Sequence, residues 1–142
     1  MIKRMVDAGI PVSGHLGLTP QSVHKFGGYG LRAKDEAEAE KLMSDAKALD
    51  EAGCFCFVLE KVPAALAQKV TESVSCATIG IGAGNCCDGQ VLVYADMLGM
   101  DPNFKPKFVR KYADLYNVMT TAIAQYVSDV KSTDFPNETE SY

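Results

Sequence analysis

The sequence predicts an α/β protein built from parallel strands and helices. Three observations predict it: apolar runs of strand length alternate with segments of helical period, glycines punctuate the junctions, and the run 54–59 is polar on neither face. Such alternation implies parallel strands joined by right-handed crossovers. Two architectures fit, a doubly wound sheet and a (β/α)8 barrel of the TIM type. About four strands are visible, and the first element reads as the end of a helix, which suggests a barrel cut in half.

The elements follow in order. Ile2, Met5 and Val6 stand at helical spacing before Gly9 and read as the last turns of a helix. A first strand is expected near 10–16, after a glycine turn. A long loop then runs from Thr19 to Asp35 and holds Gly27, Gly28 and Gly30. Loops of that length inside a compact domain are usually functional. Asp35 reads as a helix N-cap, with Glu38 where a capping box would use it. Leu42, Met43, Ala46 and Leu49 mark one face of the helix that follows, and Gly53 ends it. A second strand is expected near 54–60, covered on both sides. Pro63 opens the next helix, whose buried stripe is Leu66, Val70 and Val74. Strands near 77–82 and 90–94 follow, separated by a glycine-rich turn. Phe108, Tyr112, Leu115, Met119, Ala122, Tyr126 and Val130 recur every three or four residues, predicting a long C-terminal helix near 104–131 before a polar tail, 132–142.

Bulk properties narrow the function. The 142 residues amount to one domain's worth of chain, and 47% hydrophobic with 23% charged residues is ordinary globular usage. The net charge is −4, and no lysine-arginine block provides a nucleic-acid footprint. Lys105, Lys107, Arg110 and Lys111 read as the basic edge of a helix start. No segment approaches the roughly 20 apolar residues that span a bilayer, so no membrane role is expected. Residues 1–6 are too short to form a secretory leader. Five cysteines, an odd count without framework spacing, point to reduced thiols and a cytoplasmic location. Cys86-Cys87 has no second Cys/His pair at zinc spacing, so no metal ligand is expected within this chain.

In a barrel, reactive groups come from the C-terminal ends of the strands. His15, Glu60 and Asn85 all fall there. Glu60 follows six apolar or cysteine residues, and desolvation at such a position is expected to raise its pKa toward a value useful for a general base. The structural alternative is a buried glutamate paired with a lysine or arginine. Lys61, the next residue, is expected to point to the opposite face. His15 lies between Gly14 and Leu16-Gly17, where small neighbours allow close approach and suit a hydrogen-bond donor to an anionic substrate. Its alternative is a satisfied structural histidine, and His24 reads as surface. The run Gly80-Ile81-Gly82-Ala83-Gly84-Asn85 lacks the G-x-G-x-x-G spacing of a dinucleotide site and reads as a tight turn.

Several segments carry a family resemblance. They are Gly14-His15-Leu16-Gly17-Leu18-Thr19-Pro20-Gln21, Phe26-Gly27-Gly28-Tyr29, Val58-Leu59-Glu60-Lys61-Val62-Pro63 and Ile79-Gly80-Ile81-Gly82-Ala83-Gly84-Asn85. Asp88-Gly89-Gln90-Val91-Leu92-Val93, Phe104-Lys105-Pro106-Lys107-Phe108 and Phe135-Pro136 extend them. Over essentially its whole length the chain resembles the C-terminal half of a ketopantoate hydroxymethyltransferase. The resemblance implies a (β/α)8 barrel related to the phosphoenolpyruvate mutase and isocitrate lyase group, in a large homo-oligomer. It implies hydroxymethyl transfer from 5,10-methylenetetrahydrofolate to 3-methyl-2-oxobutanoate, giving ketopantoate for pantothenate and coenzyme A. Magnesium would hold the keto acid as a Lewis acid. By position in the matching motifs, Glu60 would remove the C3 proton and His15 would hydrogen-bond the keto acid.

The departures are equally specific. The family's metal ligands and its keto-acid lysine belong to G-D-S, A-D-L-P and V-K-x-E motifs, none of which occurs here. Lys61 stands where other members often carry a smaller or sulfur-containing residue, and the tail lacks a histidine common in the family. The expectation is therefore a base without its metal, in a fragment inactive alone, either truncated or completed by a separate N-terminal half. The alternatives are a non-catalytic half-barrel that associates with itself or a partner, its open edges aggregation-prone as a monomer, and a related keto-acid lyase.

Overall fold

The computed structural model describes residues 1–142. Where composition suggested a single domain, the chain divides into two compact units, residues 1–91 and 92–142. In the first, helix α1 (Ile2–Asp7) precedes strand β1 (Ser13–Gly17), helix α2 (Glu36–Glu51), strand β2 (Cys56–Glu60), helix α3 (Ala64–Ser73), strand β3 (Ala77–Ile81) and the two-residue strand β4 (Gly89–Gln90). The strands form one parallel sheet in the order β1-β2-β3-β4.

The register sorts side chains onto two faces. His15 pairs with Val58, and Val58 with Ile79, so Ser13, Cys56, Glu60 and Ile81 share their face. Leu16, Phe57, Leu59 and Thr78 occupy the other. Both crossover helices pack on that second face: Leu49 of α2 lies against β1 at Gly14, where a Cβ would come within 2.6 Å of its Cδ1, and Thr71 of α3 meets Thr78, Oγ1 to Oγ1, at 2.9 Å. The core of the unit, Leu42, Ala46, Phe57, Leu59, Val62, Ala67 and Val70, lies between helices and sheet. Each large apolar side chain buried there contributes roughly 1.5–3 kcal/mol. The run 54–59 is thus covered on one side only. Phe57 and Leu59 are buried, while Cys56 and Val58 remain part-exposed because no helix of this unit packs on their face.

Local chemistry explains the boundaries. Asp35 caps α2 by accepting from the Glu38 N–H at 2.9 Å. The reciprocal half of the box does not form, because the Glu38 carboxylate turns to the Ala33 N–H at 2.8 Å and to the Arg32 guanidinium. Pro63 serves as the N-cap of α3 rather than its first residue. The fourth strand covers Gly89–Gln90 and not 90–94, because β3 stops at Ile81 and leaves residues beyond Val91 without a ladder partner.

In the second unit, Val93 caps the short helix α4 (Tyr94–Met97), and the last helix, α5, runs from Leu115 to Lys131 rather than from 104. The segment 104–114 is irregular. Pro106 brings no N–H, Tyr112 donates its own to the Met97 carbonyl at 2.7 Å, and Asp114 opens α5 by accepting from Asn117. No residue of α5 is buried, and Met119, Tyr126 and Val130 of its apolar series are exposed. Tyr126 stacks edge-on against Phe135, centroids 5.5 Å apart.

Two carboxylates hold the first unit together at the N-terminal ends of its strands. Asp50 accepts from the Ser75 N–H and hydroxyl and from the Cys76 N–H at 2.9–3.0 Å, and Asp88 accepts from the Thr78 N–H at 2.7 Å and its hydroxyl at 2.9 Å. These bonds favour the ionised forms and hold both groups below the ordinary carboxylate range, the backbone N–H of Ser75 and of Thr78 leading. A depressed native pKa adds stability above the unfolded value and loses it as pH falls through the folded one. The thermal midpoint followed by circular dichroism is therefore expected to drop between about pH 5 and pH 2. Asp88→Asn should flatten that drop.

Candidate active site

Glu60 is the last residue of β2, and His15 lies on β1 two register positions short of it, on the same face. A parallel pair puts such side chains side by side. The His15 Nε2 lies 3.1 Å from Glu60 Oε2, and the two side chains keep 33% and 18% of their exposure. Glu60 is therefore part-buried with one partner, an imidazole on the neighbouring strand. An imidazole N–H donated to one carboxylate oxygen leaves the other oxygen to take a proton.

The backbone at Glu60 is fixed from both sides. Its carbonyl accepts the Leu18 N–H at 2.9 Å, and the Lys61 N–H donates to the Ile81 carbonyl at 2.9 Å. Lys61 adopts φ +48°, in the left-handed region, and its ammonium donates to the Tyr29 carbonyl. The side chain thus reaches into the loop after β1.

A cavity of about 450 Å³ opens beside the pair. His15, Phe26, Arg32, and Glu38, Lys41 and Asp45 of α2 are among the residues that line it, whereas Glu60 is not. The Arg32 guanidinium lies over the Phe26 ring, 4.1 Å from its centroid. Sequence reasoning missed this wall. Its one trace was Glu38, singled out as a cap partner and in fact the anchor of Arg32. Asn85, the third strand-end residue, is exposed in the turn after β3, its amide oxygen facing the Cys86 thiol. His24 is exposed, as expected.

The five cysteines are free. Burial pushes the Cys54, Cys76 and Cys87 thiols up, Cys76 to about 11, so all three stay protonated at neutral pH. No three histidine, cysteine or acidic side chains converge in a group able to hold a metal ion. No helix is long and apolar enough to cross a membrane.

The chain is thus an α/β protein with a four-stranded parallel sheet and a carboxylate and an imidazole paired toward the C-terminal ends of two adjacent strands. Comparison with known proteins makes the class specific. The sequence model described as ketopantoate hydroxymethyltransferase matches residues 1–138. A 3-methyl-2-oxobutanoate hydroxymethyltransferase of Bacteroides fragilis is 64% identical over 141 residues, 99% of this chain and 52% of the relative. Those of Bacteroides thetaiotaomicron, at 62%, and Prosthecochloris aestuarii, at 60%, match over the same 99% of this chain and over 52% and 51% of their own lengths. The chain belongs to the ketopantoate hydroxymethyltransferase family, a family of transferases. It spans about half the length of the curated relatives it matches.

Proposed function

We propose that this chain forms the C-terminal half of a (β/α)8 barrel of the phosphoenolpyruvate mutase and isocitrate lyase kind and supplies its general base. The barrel transfers a hydroxymethyl group from 5,10-methylenetetrahydrofolate to 3-methyl-2-oxobutanoate, giving ketopantoate. The observation that carries the proposal is the 3.1 Å contact between His15 and Glu60 at adjacent strand ends. The sheet supports it too. Strands in sequential order with both crossover helices on one face are an arc of a barrel wall, whereas a doubly wound sheet reverses its order and carries helices on both faces. The part-exposed face with Ser13, His15, Cys56, Val58 and Glu60 then becomes the barrel interior.

Glu60 removes the proton from C3 of the keto acid. The C–H bond breaks, its electron pair passes into the enolate, and the proton ends on the free carboxylate oxygen. The enolate carbon then bonds to the one-carbon unit, whose bonds to the two folate nitrogens break; water supplies the hydroxyl oxygen, the nitrogens take up the protons and tetrahydrofolate leaves. His15, paired with Glu60, orients the keto acid and holds C3 toward the base. The donors in this chain do not fit the magnesium ion expected for the family, which takes six oxygen ligands in near-octahedral geometry. The chemistry assigned to this half is therefore binding and proton transfer. Five free thiols support a cytoplasmic enzyme, and the exposed apolar residues of α5 support assembly with further copies.

The test joins this chain to the part of the Bacteroides fragilis relative that it does not match. With magnesium present, this fused enzyme should exchange the C3 proton of 3-methyl-2-oxobutanoate for deuterium, followed by proton NMR. A folded fusion that leaves the C3 signal at the buffer rate would refute the assignment.

A further inference from the structure

We propose that Lys61 is a positioning residue: it fastens the segment 19–34 across the end of β2, so that Phe26 and Arg32 form the outer wall of the cavity that His15 lines. The proposal rests on that reading of the site for its catalytic consequence, but its geometry stands separately.

Three bonds meet at Lys61. Its N–H reaches the Ile81 carbonyl at 2.9 Å, its carbonyl accepts the Arg32 N–H at 2.8 Å, and its ammonium donates to the Tyr29 carbonyl. One residue thus ties the end of β3, the end of β2 and the loop after β1 to one another. The φ of +48° makes this possible, since it turns the carbonyl toward Arg32 while the N–H stays on the sheet. A lysine in the left-handed region is strained relative to glycine, and strained residues of this kind concentrate beside functional sites.

The rest of the loop depends on that fastening. Arg32, held by its backbone at Lys61, lays its guanidinium on Phe26 and reaches Glu38, and Glu38 takes the Ala33 N–H as well. Ala33 is buried in the core cluster. The far end of the segment is thereby sealed against α2, while its middle, from Lys25 to Leu31, is tied to the sheet by the ammonium of Lys61. Lys25 and Phe26 face the cavity from that stretch. A loop held this way presents a fixed surface beside His15, and releasing one bond opens that surface without unfolding the sheet.

Lys61→Gly tests this, because glycine suits the backbone at φ +48° while the side chain and its ammonium are lost. In the full chain, the Gly28 and Arg32 amides are expected to exchange with deuterium about tenfold faster than in the parent, the effect of losing one charge-assisted hydrogen bond, with β2 and α2 unchanged. Lys61→Arg, which keeps the cation, should restore the parent rates. In the fused enzyme, Lys61→Gly should raise the KM for the keto acid about tenfold and lower kcat by less. Parent-like exchange in Lys61→Gly, no rescue by Lys61→Arg, or an unchanged KM in an active fusion would each overturn the proposal. Exchange needs no substrate, so it separates failure of the clasp from failure of Glu60 as base.

Discussion

Glu60→Gln in the fused enzyme is expected to slow exchange of the C3 proton about 10²- to 10⁴-fold, the usual contribution of a positioned acid or base. The amide keeps the size of the side chain and can still pair with His15, but it cannot accept a proton from carbon. Stability should change little, since Glu60 is part-buried and has one side-chain partner, an imidazole two strand positions away. Proton NMR of the exchange and a thermal melt of the same sample give both halves of the result. Exchange within threefold of the parent would leave His15 or a group outside this chain as the base.

Gly17→Ala carries the largest expected effect on folding, roughly 3 kcal/mol. Gly17 ends β1 with φ +84°, where a Cβ costs about 1–2 kcal/mol. The same Cβ would strike the Glu60 carbonyl oxygen and come within 2.8 Å of Val62 Cγ1, adding about 1–3 kcal/mol of overpacking. It also threatens the 2.9 Å bond from the Leu18 N–H to that carbonyl, the link that sets β1 against the base. Gly9→Ala is the control. Gly9 has φ +81° and open space around its Cβ position, so its cost should stop at the backbone share. Urea denaturation of both variants resolves the difference, and equal costs would show that β1 shifts freely past Glu60.

Particular residues show how far the sequence could be read. The placement of Glu60 and His15 toward the C-terminal ends of two strands was legible because strand-length runs lead up to them, and parallel pairing turns such positions into neighbours. Asp35 was legible because capping is local, settled within four residues. Where the last helix begins was not, since Phe108 and Tyr112 continue the period of α5 past Pro106, and only the Tyr112 bond to Met97 and the Asp114 cap show that the helix has not yet started. The covering of β2 on both sides was misread for a related reason. A run without polar residues reports that both faces are destined for burial, not which chain supplies the cover. The wall built from Phe26, Arg32 and Glu38 was out of reach, because Glu38 could equally have turned back on its own helix.

The sequential order of the strands has a kinetic consequence. Neighbours in the sheet are also neighbours along the chain, but the loops they close differ: about ten residues separate the partners of β3 and β4, and about forty those of β1 and β2. That is roughly two doublings of loop length, about 1.3 kcal/mol of extra closure entropy for β1. The strand that bears His15 therefore carries the larger closure cost, set against a five-residue ladder, whereas Glu60 sits on a strand paired on both sides. The two halves of the candidate site thus meet only when a long-range closure is made.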